Sequence, residues 1–387
     1  MGSILSNKSV SYHSPSSEDW EEYKKNIESF KEFKVPKIFD EKNKHDYLFI
    51  ALADGTENDM KEPSKYTNVA KLEKELEDNK NKNIATFYKD GVGTYKGKGN
   101  ILDKTKAKFD AALSLSHEER VKEIYEEFSK QANIWKSKDP NANISIVEVG
   151  FSRGSGVVSL LNQMIHEKGI KDTETKKIIN GKLQATGDYL ISPGQISQSV
   201  LLYDPVTTSM KENMSLSNST VSALQINAKD EYRNFFPLSK IAQGEHQLEI
   251  NLPGCHTDIG GGYDKNGLSL YSKNIGNQYL NKMIHTKDKL FKKTRLPSKD
   301  DPSVVIHHSE EHSKLYKKEK QRGITLIDKK VYQKKIASLN ISKNDNSKLL
   351  YSPIYTNSIK EFKIQKLKKA KTIEKEISRK ERFIGFT

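Results

Sequence analysis

Three side chains, each just past an apolar run, carry the types and spacing that chemistry needs. The first is Ser152, in Gly150-Phe151-Ser152-Arg153-Gly154. A β-branched apolar run, Ile144 to Val149, leads into it, and Val157, Val158, Leu160, Leu161, Met164 and Ile165 follow at helical spacing. Strand, tight turn and helix are the setting of a nucleophile elbow. The turn holds its serine in a strained conformation, so the positions two before and two after must be tiny. Gly150 and Gly154 have no Cβ to collide with strand or helix. A serine hydroxyl attacks poorly near neutral pH. It needs a general base in hydrogen-bond reach, and that base needs a carboxylate to hold its tautomer and stabilise the imidazolium. His256 and Asp204 supply these groups in the chain order Ser, Asp, His, one of the orders in which such triads occur.

Each assignment has a rival. His256 sits in a glycine-crowded turn with Gly254, Gly260, Gly261 and Gly262, which lets a side chain reach over a cleft. His246 competes, because it also lies close to the last strand. His13, His45 and His117 precede the serine, His166 ends the elbow helix, and His285, His307, His308 and His312 lie in charged surroundings. Asp204 ends an apolar strand, as an acid buried against imidazole should. Asp258, two residues after His256, is expected to bond the local turn instead. The oxyanion formed on attack needs backbone N–H donors. The amide of Arg153 is one candidate, and Gly55 or Thr56, after the first strong strand, offers the second. Asp54 has the alternative of buttressing the elbow by pairing with Arg153.

The elements that must position these groups follow from periodicity. Tyr47–Ala53, Ile84–Tyr88, Ile144–Val149, Val200–Tyr203 and Leu248–Leu252 read as strands. Helices are expected over 68–76, over 109–135 and after the elbow. A short docking helix is expected where Trp20, Tyr23, Ile27 and Phe30 share a face. Residues 167–198 read as polar loop and 209–220 as a mobile surface segment, part of a lid. Alternating strands and helices predict an α/β fold, a mostly parallel sheet with helices on both faces. In such sheets, sites collect at the carboxyl ends of strands, where Asp54, Ser152, Asp204 and His256 all fall.

Domain boundaries are expected near 43 and 290: a polar N-terminal arm (1–43), a catalytic domain (44–290), and a basic, partly helical C-terminal region (291–387). Net charge is +14, 34% of residues are hydrophobic and there is one cysteine, Cys255. The basic balance attracts anionic partners such as lipid headgroups. Nucleic acid is not expected, since no nucleic-acid-binding signature accompanies the charge. One cysteine excludes an internal disulfide. No apolar run approaches transmembrane length, and no charged n-region precedes an apolar h-region. The chemistry requires neither metal nor cofactor.

Six motifs in order resemble a known bacterial family. They are Asp54-Gly55-Thr56 with Asn58, Tyr88 to Thr94, Gly150 to Ser155, Leu202 to Val206, Asp230 to Pro237, and Pro253 to Tyr263. Together they resemble the α/β-hydrolase domain that includes phospholipase effectors of the type VI secretion system. Glu57 and Pro205 depart from its pattern, where the family has Trp and Thr. The resemblance implies an α/β-hydrolase fold and a Ser-Asp-His lipase acting on membrane phospholipid. It carries the triad onto Ser152, Asp204 and His256. Without a secretory signal the chain is expected to be made in the cytoplasm, and the resemblance implies contact-dependent delivery into the periplasm of competing bacteria, a secretion-apparatus component as carrier, and a cognate immunity protein. Two other readings of the residues stay open: a non-catalytic adaptor on a hydrolase scaffold, and a thioesterase or peptidase.

Overall fold

In the computed structural model the described residues are 10–55, 60, 62–91, 106–173, 176–179, 182–185, 187–207, 215–240, 246–312 and 318–326. They fall in one compact unit, Met1–Lys329; the second unit, Lys330–Thr387, lies outside them, as does the basic run 363–382. Six strands form the central sheet: β1 (Asp46–Ala53), β2 (Ile84–Lys89), β3 (Asn143–Phe151), β4 (Ser197–Tyr203), β5 (Thr220–Ala228) and β6 (Gln247–Leu252). Their order across the sheet is β6-β5-β4-β3-β1-β2. Every neighbouring pair is parallel.

Parallel strands need crossovers, and these bring helices to both faces. Alternation along β1 shows the two layers. Leu48, Ile50 and Leu52 pack into one core with Val69 and Leu72 of α2 (Asn68–Glu77) and with Ile275 and Tyr279 of α6 (Gly267–Met283). Phe49, Ala51 and Ala53 face the other core, with Ile124 and Phe128 of α3 (Lys106–Lys138) and Val158 and Leu161 of α4 (Arg153–Lys168). Each large apolar side chain buried in these layers stabilises by roughly 1.5–3 kcal/mol. The predicted docking helix is α1 (Ser17–Glu32), started by a capping box in which Ser16 and Asp19 exchange hydrogen bonds.

Three readings of the sequence are corrected. Residues 167–198 are not all loop: Ile170–Lys171 pairs with Tyr189–Ile191, and Lys176–Ile179 pairs with Lys182–Ala185. The stretch 209–220 is not a surface segment throughout. Leu216, Ser217 and Ser219 are buried, and the Ser217 amide donates to Asn162 Oδ1; residues 208–214 lie outside the described residues. The strand β5 and the helix α6 were not foreseen.

Candidate active site

Ser152 is the residue between β3 and α4, with φ 57° and ψ −126°. Positive φ is costly for a residue with a Cβ, so a surrounding structure must impose it. That surrounding is visible in the glycines. A Cβ on Gly154 would lie 2.1 Å from the Ala53 carbonyl oxygen, and one on Gly150 would lie 2.5 Å from Ser155 Cα. The helix therefore meets the sheet only because both positions lack a side chain. Backbone bonds complete the turn. Ser152 N donates to the Tyr203 carbonyl (3.1 Å), and Val206 N donates to the Ser152 carbonyl (3.3 Å).

Asp204 arrives by register. Tyr203 of β4 pairs directly with Phe151 of β3, so the residues that follow leave neighbouring strand ends together. Asp204 also has positive φ, 40°. Its fully buried carboxylate accepts from His256 Nδ1 (2.5 Å) at Oδ2 and from the Ala228 amide (2.7 Å) at Oδ1. Arg322 forks onto both oxygens, Nη1 to Oδ1 at 2.7 Å and Nη2 to Oδ2 at 2.8 Å. Burial opposes the charge on Asp204, but Arg322, with His256, outweighs burial and holds the carboxyl well below the usual carboxylate range.

His256 opens the short helix α5 (His256–Gly260). Its ring stacks on Phe151 (centroids 4.6 Å) and meets the Phe236 ring edge-on (5.1 Å). Gly260 makes the stacking possible, since a Cβ there would lie 1.9 Å from the Phe151 ring. The His256 amide donates to Glu231 Oε2 (3.2 Å). Burial pulls the imidazole below its ordinary 6.5, partly offset by Asp204. With Nδ1 bound to Asp204, Nε2 is the nitrogen left for proton transfer.

Around this pair lie residues whose roles the sequence did not disclose. Glu231, fully buried, accepts from Arg233 at both oxygens (2.9 and 2.8 Å) and from Ser309 Oγ. Burial opposes its charge, and Arg233 more than compensates. Asp258 accepts the Cys255 amide (3.0 Å), so it does bond the local turn. It also accepts the His307 amide (2.9 Å) and His307 Nδ1 (2.6 Å). His307 is therefore buried in a second Asp–His pair. One sequence signal existed for Arg233 and Arg322: arginine accounts for only seven of 65 basic residues. In such a chain an arginine marks a place where a planar fork is needed.

The remaining candidates separate. His246 is exposed just before β6, at the end opposite the site, about 20 Å away at 3.3 Å per residue. Asp54 accepts from the Gly55 amide (2.7 Å), Thr67 Oγ1 (2.7 Å) and Tyr88 Oη (2.8 Å). Arg153 is not among its partners, so the buttress reading is corrected. Burial pushes the Asp54 carboxyl up to about 6. The Gly55 amide thus has Asp54 Oδ1 as its acceptor, and Thr56 lies outside the described residues. The Arg153 amide opens α4, where helix N–H groups and the dipole favour negative charge. Among the described residues, no group of three or more His, Cys, Asp or Glu is arranged to hold a metal ion, and no helix is long and apolar enough to cross a membrane.

A parallel sheet with helices on both faces, and a strained serine between strand and helix, define an α/β-hydrolase fold. Residues 48–189 match the family model described as the type VI secretion system (T6SS) phospholipase effector Tle1-like catalytic domain, the family that the six motifs resemble. That span includes the Ser152 elbow and ends before Asp204 and His256. A search of curated proteins gives no match. Among solved structures, one similar chain is an uncharacterized protein from Pseudomonas aeruginosa (15% identity, TM-score 0.39, covering 76% of this chain and 51% of that one). Another is the Tle1 effector bound to the VgrG spike of the type VI secretion system (17% identity, TM-score 0.34, covering 59% and 52%). A third is Est1E from Butyrivibrio proteoclasticus (12% identity, TM-score 0.23, covering 63% and 91%). The chain spans about half the length of the first two.

Proposed function

We propose that this chain hydrolyses acyl esters of membrane phospholipids, with Ser152 as nucleophile, His256 as base and Asp204 as its orienting acid. The observation that carries the reading is the Asp204–His256 hydrogen bond at the strand ends where the strained Ser152 turn sits. His256 Nε2 takes the Ser152 proton as Oγ adds to the acyl carbonyl. The Arg153 amide stabilises the oxyanion. The tetrahedral adduct collapses as the imidazolium gives its proton to the departing alcohol oxygen. Water, deprotonated by His256, then cleaves the acyl-enzyme to free fatty acid and restore Ser152.

The phospholipid substrate and antibacterial delivery rest on the match to a phospholipase effector catalytic domain. A secretion-apparatus component as carrier and an immunity protein in the producing cell belong to the same reading. The basic C-terminal region is the segment proposed to meet anionic headgroups. Full-length chain and Ser152→Ala are compared on phospholipid vesicles and on short acyl esters, thioesters and peptides. Release of fatty acid by the parent chain and its loss in the variant support the proposal. Equal release by both overturns it, and cleavage confined to thioesters or peptides overturns the lipid assignment.

A further inference from the structure

Arg322 lies outside the span of the family match and outside the predicted catalytic domain, yet it holds the carboxylate on which the site depends. Its side chain is 8% exposed. Besides its fork onto Asp204, Nη1 donates to the Ala228 carbonyl (3.0 Å) and Nε donates to the Phe236 carbonyl (2.9 Å). One guanidinium thus ties together the end of β5, the acid after β4, and the residue whose ring packs on His256. Lysine, with one point of charge, cannot reproduce that fork.

The charge has a consequence as well as the geometry. An aspartate facing only imidazole stabilises imidazolium strongly, so the pair takes up a proton readily. An aspartate already neutralised by a guanidinium stabilises it less. From these contacts we infer that Arg322 is a positioning residue that fixes the plane of Asp204 and keeps His256 neutral, and therefore able to accept the serine proton, at lower pH. The other charged groups acting on His256 are Arg233 and Glu231, of opposite sign. Arg233 is paired with Glu231, and Asp258 is bonded to His307 and the Cys255 amide. Arg322 is the cation placed directly on the base's own partner.

The inference rests on the triad reading, and the experiment separates the two. The pH profile of kcat/KM on a soluble acyl ester is measured for the full chain and for Arg322→Met, Arg322→Gln and Arg322→Lys, each checked for folding by thermal melting. Glutamine keeps an amide donor for the two carbonyls but no charge. The acid limb is expected to move up by roughly one pH unit in Arg322→Met and Arg322→Gln, and to return part of the way in Arg322→Lys. If Arg322→Met fails to fold, Arg322→Gln decides by the same criterion. A limb that stays in place while activity drops by one factor at every pH overturns the inference. Fluorophosphonate labelling of Ser152 in the parent chain is read alongside. Labelled Ser152 with an unmoved limb sinks the role of Arg322 alone, whereas an unlabelled Ser152 sinks the triad.

Discussion

Two buried Asp–His pairs lie within one loop cluster, and they are almost alike as pairs. Asp204 meets His256 at 2.5 Å, and Asp258 meets His307 at 2.6 Å. Their surroundings differ. Asp204 follows a strand paired in register with the one that presents Ser152, and a guanidinium forks onto it. Asp258 accepts two backbone amides, Cys255 and His307, which tie the turn carrying His256 to the strand residues Ile306–His307. The His307 ring is covered by Tyr263 at 4.0 Å. It borders an open cavity of about 590 Å³ whose described lining, including His13, Asp230, Tyr232, His308 and Lys318, holds no serine, threonine or cysteine. An aspartate beside a histidine is thus no evidence of catalysis by itself. The distinguishing feature is the strained Ser152 turn at the neighbouring strand end, whose backbone bonds to Tyr203 and Val206 on either side of Asp204.

Substitutions break the comparison where it is sharpest. His256→Ala is expected to lower kcat on an acyl ester by about a thousandfold or more, and His307→Ala by less than about tenfold; steady-state kinetics on folded protein check both. Comparable losses from the two would mean that the two pairs do not differ in catalytic role. Asp204→Asn removes the charge that orients His256 and should cost activity on the order of 10³–10⁴-fold. Asp258→Asn should leave most activity but cost about 2 kcal/mol of stability, read by urea denaturation, because charge-assisted bonds to Cys255 and His307 weaken. Glu231→Leu strands Arg233 in a buried site, and about 3–5 kcal/mol of lost stability is expected in the same assay.

The smallest effect concerns pH. Burial holds His256 below 6.5, so the neutral base persists below that pH and activity falls only as pH drops through the depressed value. The stability contribution has the same sign. The unfolded chain protonates this histidine first, so stability from its neutral burial is present above about pH 6.5 and declines below it. An acid limb of kcat/KM centred above pH 7 would contradict this reading.

Legibility in the sequence followed the physics of each element. β1 is buried on both faces and reads as an unbroken apolar run from Tyr47 to Ala53, and β3 keeps four β-branched residues, Ile144, Ile146, Val147 and Val149, around Ser145 and Glu148. The elbow was legible because its two glycines answer a steric demand within five residues. β5 escaped because Ser222, Gln225 and Asn227 interrupt its apolar pattern. All three are buried with hydrogen-bond partners: Ser222 with Tyr279 Oη, and Gln225 with Asn227. α6 escaped for a similar reason: Ser269, Ser272, Asn274 and Asn277 are buried among its apolar residues, blurring the amphipathic stripe. The rarity of arginine marks Arg322 but not its partner, and His307 carries no mark at all. Their partners lie 118 and 49 residues away in the chain, and no local spacing encodes so distant a contact.

The most direct test is fluorophosphonate labelling of Ser152, followed by mass spectrometry, in the parent chain, His307→Ala and His256→Ala. The account predicts comparable labelling of the first two and at most a trace in the third, whose serine has lost its base. Labelling of His256→Ala at the parental rate, or loss of labelling in His307→Ala alone, would contradict it.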